Sequence, residues 1–436
     1  MKQKEIGIDE RPPLGQSLML SIQHLFAMFG STVLVPNLLK VDPAICLLMN
    51  GIGTLLYLFI VKGKIPAYLG SSFAFIAPAG AVIGNHAAPD DGYAAALGGF
   101  IAAGVVFTIV ALIIKAAGTG WIRVLFPPAA MGAIVAVIGL ELIPTAAGMA
   151  GWIKPPNAAP AVVWTPDPTA ITISVVTLLI TVLGSVLFRG FMRIIPILVG
   201  IVCGYALAYA LHYTSFDAVA GRGWLESPTF TLPTFEWAAI LTIVPASLVV
   251  IAEHIGHLIV TGNIVRKDLS KDPGLHRSML GNGISTVLSG FLGSTPNTTY
   301  GENIGVLAIT RVYSTFVIGG AAVIAVVLSF LGKFSALISG IPDPVMGGVS
   351  LLLFGVIAAS GLRMLVESKI DYSKPTNLYL TAIVLVTGLS GAKITIGDFS
   401  LSGMALATVT AIVLSLLFKL FEITRMSNDA EASSGH

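Results

Sequence analysis

The chain has 436 residues, of which 55% are hydrophobic and only 11% are charged, and its mean hydropathy is +0.90. Soluble domains carry roughly 25% charged residues because water must wet their surface, so a soluble multidomain enzyme and a disordered protein are both excluded. The formal net charge of +2 gives no electrostatic reason to expect nucleic-acid binding. The composition therefore indicates a polytopic membrane protein.

Taken in chain order, the apolar stretches predict fourteen membrane-spanning segments, because a helix needs about 20 apolar residues to cross the hydrocarbon core. The third and tenth stretches are rich in Gly, Pro, Ser and Thr, so we expect these two to be broken. The predicted segments are residues 14–37, 43–61, 66–86, 92–115, 121–146, 169–188, 193–212, 236–265, 276–293, 297–312, 314–332, 343–362, 376–392 and 402–421.

The distribution of lysine and arginine predicts the orientation, because these residues favour cytoplasmic loops. With a cytoplasmic N-terminus, fourteen spans place nineteen basic residues inside and five outside. A missing or extra span in mid-chain would move many of these basic residues to the other side and remove the cytoplasmic excess. We therefore predict a multi-pass protein of the cell membrane with both termini cytoplasmic, ending in a polar tail over residues 422–436. The five outer residues are Lys40, Lys154, Arg222, Lys333 and Lys393.

A weak internal repeat divides the chain into two halves. The stretch PPAAMGAIV from Pro127 resembles PDPVMGGVS from Pro342, which aligns Met131 with Met346. These stretches begin the fifth and twelfth segments, which are seven segments apart. Because seven is an odd number of membrane crossings, the second copy must be inverted in the membrane, as in secondary transporters. The predicted fold class is therefore an all-α polytopic membrane protein whose fourteen segments form a 7+7 inverted repeat.

The two broken segments are also seven apart. Paired discontinuous segments mark the substrate site in inverted-repeat transporters, because unwound backbone is tolerated only where it lines a cavity. The repeat aligns residues of the third segment with the tenth and of the first with the eighth. The aligned residues are Ser71, Ser72 and Phe73 with Tyr300, Gly301 and Glu302, and His24 with Glu253.

Ionisable side chains in mid-span are costly and mark functional sites by default. Glu253 and His257 are four residues apart and share one helix face, so they can interact directly. His254 projects away from that face, and a packing or supporting role is the alternative to a functional one. The string EHIGH departs from the zinc pattern His-Glu-x-x-His, and the two cysteines lack ligand spacing, so we expect no metal and no cofactor. The mid-span ionisable residues are His24, Glu253, His254, His257 and Glu302, with Glu141 nearer a span end.

A cavity with two carboxylates and the ends of broken helices favours one kind of ligand. Carboxylates accept hydrogen bonds and free backbone amides donate them, so a flat ring with alternating N–H and C=O groups satisfies both, and Phe73 can stack on its face. Two close carboxylates resist being ionised together, which favours proton uptake. A simple cation site stays open as a rival. No nucleophile or metal set indicates an enzyme.

At these residues the sequence resembles the nucleobase/ascorbate transporter family. The resemblance is strongest over residues 251–315, which contain IAEHIGHLIV and TPNTTYGENIG, and extends to SIQHLFAMFG at 21–30 and YLGSSFAFIAP at 68–78. It implies uracil:proton symport, short antiparallel strands in the third and tenth segments, and a homodimer. A xanthine, urate or other purine permease is the alternative, and an anion exchanger on the same scaffold is less favoured.

The resemblance also implies two domains, each drawn from both halves of the repeat. A core domain would comprise residues 14–117 and 236–333. A gate domain, through which the dimer would form, would comprise residues 118–212 and 343–421.

Site roles follow from the same resemblance. Glu253 and Glu302 would accept hydrogen bonds from the uracil ring N–H groups. The backbone amides of Phe73 and Gly301 would donate to the ring carbonyls, and Tyr300 would line the pocket.

The resemblance assigns supporting roles as well. His257 would take part with Glu253 in proton coupling, and His24 and Ser72 would support the pocket. Two positions depart from the family pattern, because Ser31 stands where alanine is expected and Phe354 where tyrosine is expected.

Overall fold

The computed structural model describes residues 5–156, 163–396, 399–424 and 426. Most of the predicted polar tail lies outside the described residues. So do three of the basic residues assigned to the cytoplasmic side, which are Lys2, Lys4 and Arg425.

The first half of the chain forms helices, short loops and one short strand. Several helices begin with proline, whose missing N–H would have no partner in the first turn in any case. Short 3-10 turns at Phe73–Phe75 and Gly190–Ile194 precede two of the helices. The elements are α1 Leu14–Ala27, α2 Phe29–Leu39, α3 Pro43–Ile60, β1 Leu69–Ser71, α4 Ile76–Gly84, α5 Pro89–Ala117, α6 Gly120–Leu125, α7 Pro128–Met149, α8 Pro168–Leu187, α9 Pro196–Ala210 and α10 Asp217–Ala220.

The second half repeats this pattern and adds a hairpin. The hairpin β3–β4 and the short helices α10 and α15 lie between the predicted segments, and each is much shorter than an apolar membrane span. The elements are α11 Trp237–Val265, α12 Leu275–Phe291, β2 Asn297–Thr299, α13 Gly301–Thr310, α14 Thr315–Ser329, α15 Gly332–Ser339, α16 Asp343–Glu367, α17 Pro375–Leu389, β3 Lys393–Ile396, β4 Phe399–Ser402 and α18 Gly403–Ile423.

Every one of the fourteen predicted segments coincides with a helix or with a strand followed by a helix. Among the described residues, seven helices are long and apolar enough to cross a membrane alone, and the pair α1–α2, bent by 40°, makes an eighth. The remaining segments are shorter helices. The third and tenth are broken by the strands β1 and β2, as predicted. The chain is therefore a multi-pass membrane protein.

The helix packing is symmetric between the two halves. The contact between α3 and α14 corresponds to the contact between α12 and α5. The contact between α1 and α14 corresponds in the same way to the contact between α11 and α5. In the same way, α8 packs on α9 as α17 packs on α18, and α16 packs on α8 as α7 packs on α17. Exchanging the two halves of the chain turns each contact into its counterpart. The predicted inverted repeat is thereby confirmed.

The helices pack in two groups. The first group contains α1 to α5 with α11 to α14, and the second contains α7 to α9 with α16 to α18. Close backbone contact between α7 and α16 holds the second group together. A Cβ at Gly139 would lie 2.3 Å from the Phe354 carbonyl oxygen, and one at Gly361 would lie 2.3 Å from the Ala136 nitrogen. Small residues thus allow these two helices to approach closely.

The two ends of the bundle are distinguished by their contacts. We call the end that holds residues 5–13 the N face, where the Glu5 carboxylate lies 3.7 Å from the guanidinium groups of both Arg266 and Arg311. At the opposite face, the Lys40 ammonium lies 3.7 Å from the Asp343 carboxylate. This ion pair joins α2 of the first group to α16 of the second.

Candidate functional site

The two broken segments meet inside the first helix group as a two-stranded antiparallel sheet. Strand β1 pairs with β2 so that Leu69 lies opposite Thr299 and Ser71 lies opposite Asn297. The N–H of Ser72 extends the contact by donating to the Pro296 carbonyl at 2.9 Å. The predicted short antiparallel strands are therefore present.

Asn297 anchors this sheet to the surrounding helices. Its side chain is fully buried, and Nδ2 donates to the Met49 carbonyl at 3.1 Å, to Ser285 Oγ at 2.8 Å and to Ser289 Oγ at 3.1 Å. These bonds tie β2 to α3 and α12. A buried amide with several partners holds the strand in one position.

Two helices start where the strands end. Phe73 opens the 3-10 turn that leads into α4, and Gly301 is the first residue of α13. Because the strands are antiparallel, the two helices leave the sheet in opposite directions. The first N–H groups of a helix have no partner inside it and carry the positive end of its dipole. The structure therefore places both predicted amide donors at such helix starts.

Glu302 lies in the first turn of α13, where the helix dipole favours a negative charge. Its side chain is half-buried, and Oε1 accepts a 2.8 Å hydrogen bond from the Ser31 hydroxyl of α2. A carboxylate has further acceptor positions on its two oxygens. Glu302 can therefore accept from a ligand while Ser31 orients it.

Glu253 and His257 lie one helical turn apart on α11, and both are half-buried. This helix packs against the Phe73–Phe75 turn and against α13. His257 Nδ1 lies 3.1 Å from Thr299 Oγ1, and a Cβ at Gly301 would lie 3.2 Å from His257 Nε2. The His257 ring therefore sits between strand β2 and the first residue of α13.

His24 approaches the site from α1, where it is buried. Its Nδ1 lies 2.8 Å from Asn303 Nδ2. An amide nitrogen only donates, so His24 Nδ1 accepts and a neutral ring carries its proton on Nε2. His24 thus contacts the residue that follows Glu302, which fits a supporting position.

Tyr300 is packed beneath the sheet. Its side chain is 3% exposed, and its hydroxyl donates to the Ser71 carbonyl at 3.1 Å. A Cβ at Gly70 would lie 2.2 Å from the Tyr300 ring, so only glycine leaves room for it. Ser72 beside it is fully buried. These contacts make Tyr300 and Ser72 part of the framework that shapes the site.

Both positions that depart from the family pattern contact the site. Ser31 binds Glu302, as described above, and the Phe354 ring of α16 lies edge-on to the Phe73 ring with 5.9 Å between the ring centroids. Thr299 and Asn303 are further contacts, and neither of their side chains is ionisable. Neutral polar side chains carry no sequence signal that separates site residues from ordinary packing.

One face of α13 is exposed from the site toward the N face. Gly301, Gly305 and Ile309 follow one face of α13 at four-residue spacing, and all three are exposed. Ile309 also lines a cleft of 860 Å³ that lies between α1, the end of α13 and the turn that contains Arg193. An exposed stripe therefore runs from Gly301 to this cleft.

No metal centre is evident among the described residues, since no group of three His, Cys, Asp or Glu side chains within them is arranged to hold an ion. The site instead combines carboxylates, an imidazole and helix N-termini. This combination suits a neutral ligand that both donates and accepts hydrogen bonds.

The chain is similar over nearly its whole length to known transporters. A family model described as the Permease family matches residues 15–397. The uracil permease of Paenibacillus larvae subsp. larvae is 63% identical over 429 residues, which cover 98% of this chain and 100% of that one. The uracil permease of Escherichia coli strain K12 is 63% identical over 425 residues, which cover 98% and 96% of the two chains.

A solved structure shares the fold. The transmembrane domain of the cyanobacterial bicarbonate transporter BicA aligns with a TM-score of 0.61 at 17% identity, covering 94% of this chain and 96% of that one. At such low identity the similarity shows the fold alone.

Proposed function

Because the chain belongs to the Permease family and is thus a membrane transporter, we propose that it carries uracil into the cell together with protons by alternating access. The observation that carries this proposal is the convergence of two carboxylates and two helix starts on one sheet. Glu253 and Glu302 supply the carboxylates, and Phe73 and Gly301 supply the helix starts. The uracil permeases that are 63% identical over almost the whole chain support this choice of substrate.

Uracil matches these groups in chemistry. Its flat ring alternates two N–H donors with two carbonyl acceptors. Glu253 and Glu302 accept from the N–H groups, and the amides of Phe73 and Gly301 donate to the carbonyls. The Phe73 ring, supported by Phe354, forms an apolar wall for the ring face.

Proton coupling follows from the placement of two carboxylates in one water-poor site. Repulsion between them favours a state in which they share a proton, so substrate and proton bind at the same place. His257 adjoins Glu253 on α11 and completes the set of groups that can hold the proton. Substrate release and proton release are then linked.

Transport would proceed by motion of a core domain against a gate domain. The two packing groups support a core of residues 14–117 and 236–333 and a gate of residues 118–212 and 343–421. The excess of basic residues at the N face supports a cytoplasmic location for both termini and the tail over 422–436, in a protein of the cell membrane. The homodimer through the gate domain rests on the family resemblance.

The test is uptake of radiolabelled uracil into proteoliposomes under an imposed pH gradient, with and without a protonophore. We expect uptake to collapse with the protonophore and to be inhibited by 5-fluorouracil but not by xanthine. Uptake that is independent of the gradient would refute proton coupling. Uptake of xanthine without uracil would indicate a purine permease, and exchange of anions alone would indicate an anion exchanger.

A further inference from the structure

A continuous chain of hydrogen bonds leads from the candidate site into the first helix group. It begins at His257, whose Nδ1 lies 3.1 Å from Thr299 Oγ1, and Thr299 Oγ1 lies 3.5 Å from His254 Nδ1. His254 Nε2 lies 2.8 Å from Ser278 Oγ. Ser278 Oγ lies 2.7 Å from the Tyr57 hydroxyl. Four contacts thus connect five side chains from four different elements.

The chemistry of these groups suits proton transfer. Hydroxyl groups both donate and accept hydrogen bonds, and a neutral imidazole accepts at one nitrogen while it donates at the other. His254, Ser278 and Tyr57 are at most 1% exposed, so bulk water does not interrupt the chain.

The far end of the chain points toward the N face. Tyr57 lies in the last turn of α3 and Ser278 in the first turn of α12, and the Arg277 guanidinium donates to the Ile60 carbonyl at 3.2 Å between these two helix ends. The other ionisable residues on the elements packed around the chain include Glu253 on α11, Arg277 on α12 and Glu302 on α13.

A small cavity accompanies the chain. It measures about 10 Å³, enough for roughly one water molecule, and its lining includes Tyr57, His254, Ser278 and Leu258. Leu258 also lines a second cleft, of 810 Å³, which lies at the N face beside Arg266. The side chain of Leu258 is therefore a shared wall between the buried chain and that cleft.

We infer that Thr299, His254, Ser278 and Tyr57 form a proton path between His257 and the N face. A proton leaves Nδ1 of His257 for Thr299, whose own proton passes to His254. The proton on the other nitrogen of His254 passes to Ser278, from there to Tyr57, and finally to water in the cleft when the Leu258 side chain, which separates the small cavity from that cleft, moves aside. His257 starts as the imidazolium and ends as the neutral ring, so one proton moves in net terms and no electrons are transferred. Return of the His254 proton from Nδ1 to Nε2, together with rotation of the hydroxyl groups, resets the path. This inference rests on the proposed proton symport.

Two variants interrupt the path without touching the groups proposed to bind uracil. Ser278→Ala removes the central hydroxyl, and Tyr57→Phe removes the terminal one. Ser278→Thr keeps a hydroxyl and serves as the rescue. Matched controls remove buried hydroxyls elsewhere in the first helix group. They are Ser329→Ala, whose hydroxyl donates to the Val326 carbonyl at 2.7 Å, and Tyr93→Phe, whose hydroxyl donates to the Gly293 carbonyl at 2.9 Å.

Each purified variant is reconstituted and compared in two assays. The first measures uracil accumulation driven by a pH gradient. The second measures exchange of external labelled uracil for internal unlabelled uracil at equal pH, which requires no net proton release. We expect Ser278→Ala and Tyr57→Phe to lose about tenfold or more of the gradient-driven accumulation while exchange stays within about twofold of wild type. Ser278→Thr and both controls should behave like wild type.

Two results would overturn the path. One is gradient-driven accumulation at the wild-type rate in both interrupted variants. The other is an equal loss in both assays, or the same loss in the controls, which would indicate a structural role. If Ser278→Ala fails to fold, Tyr57→Phe decides alone. A wild-type protein whose uracil uptake ignores the pH gradient would refute the proposed coupling itself, which separates that failure from failure of the path.

Discussion

At the scale of single residues, Glu302 is positioned before any ligand binds. It lies in the first turn of α13, and it accepts a 2.8 Å hydrogen bond from Ser31. The Ser31 hydroxyl thus orients a carboxylate whose residue directly follows Gly301. One residue pair thus offers an acceptor and a donor side by side, which matches neighbouring N–H and C=O groups of a uracil ring.

Replacing this carboxylate by an amide should weaken uracil binding strongly. Glu302→Gln presents an NH₂ donor where the ring N–H needs an acceptor, and an unpaired buried donor costs about 1–3 kcal/mol. We expect the dissociation constant, measured by isothermal titration calorimetry, to rise by about tenfold or more. Glu367→Gln, which alters an exposed ion pair with Arg363 on α16, is the control and should bind normally. Unchanged affinity of Glu302→Gln would remove Glu302 from the binding site.

The hydroxyl of Ser31 should contribute to affinity through Glu302. Ser31→Ala removes the hydrogen bond that orients the carboxylate, and such a bond contributes about 0.5–1.5 kcal/mol. We expect uracil binding to weaken by up to about tenfold, with little change in the unfolding temperature. Identical affinity in the variant and the wild type would show that Glu302 is oriented without Ser31.

At the scale of elements, the antiparallel pairing of β1 and β2 determines where the two helix starts lie. The register is fixed by close contacts, since Gly70 of β1 lies against the Tyr300 ring and Asn297 of β2 bonds to three partners. The sheet has only three residues in each strand. A small displacement of either strand would therefore move the amide of Phe73 or of Gly301.

A methyl group at position 70 should disturb this strand pairing. Gly70→Ala would place Cβ 2.2 Å from ring atoms of buried Tyr300, and overpacking of this kind costs about 1–3 kcal/mol. We expect a lower unfolding temperature in detergent and loss of uracil binding. Gly80→Ala is the matched control, because a Cβ at Gly80 meets nothing within 4 Å. Normal binding by Gly70→Ala would mean that the ring shifts freely and that the register does not shape the site.

The sequence predicts the long elements well and the short ones poorly. Apolar length locates all fourteen segments, and the Gly, Pro, Ser and Thr content marks the third and tenth as broken, because the bilayer imposes both requirements. The hairpin β3–β4 and helices α10 and α15 carry no such signal. Strand register is likewise undetermined, since it depends on tertiary contacts such as the one between Gly70 and Tyr300.

The candidate site divides in the same way. Glu253, His257 and Glu302 stand out in the sequence because a charged or titratable group in mid-span is costly. Ser31, Thr299 and Asn303 do not, because neutral polar residues are common in membrane helices. Only the folded arrangement, in which Ser31 of α2 contacts Glu302 of α13, shows that these polar residues belong to the candidate site.

At the scale of the whole molecule, the two faces differ in how the helix groups meet. At the N face, clefts of 860 Å³ and 810 Å³ lie along α1 and α11. At the opposite face, Lys40 of α2 pairs with Asp343 of α16 at 3.7 Å, with side chains 75% and 63% exposed. An ion pair this exposed contributes little to stability, so it can form and break during transport. The larger clefts thus lie at the N face, whereas at the opposite face, where a cleft of 370 Å³ lies beside the ion pair, Lys40 and Asp343 bridge the two helix groups.

Cross-linking the two helix groups at the face opposite the N face should stop uracil transport without preventing uracil binding. Lys40→Cys combined with Asp343→Cys, in a background with Cys203→Ser to remove the partly accessible native thiol, can be joined by a short reducible bifunctional thiol reagent. Alternating access requires these helices to separate, so we expect uracil uptake to cease after cross-linking and to return after reduction. Uracil should still bind from the N face in the cross-linked protein. Lys40→Cys alone, treated in the same way, should transport normally. Undiminished uptake by the cross-linked double variant would show that the opposite face does not open between α2 and α16, and the moving boundary would then lie elsewhere in the bundle.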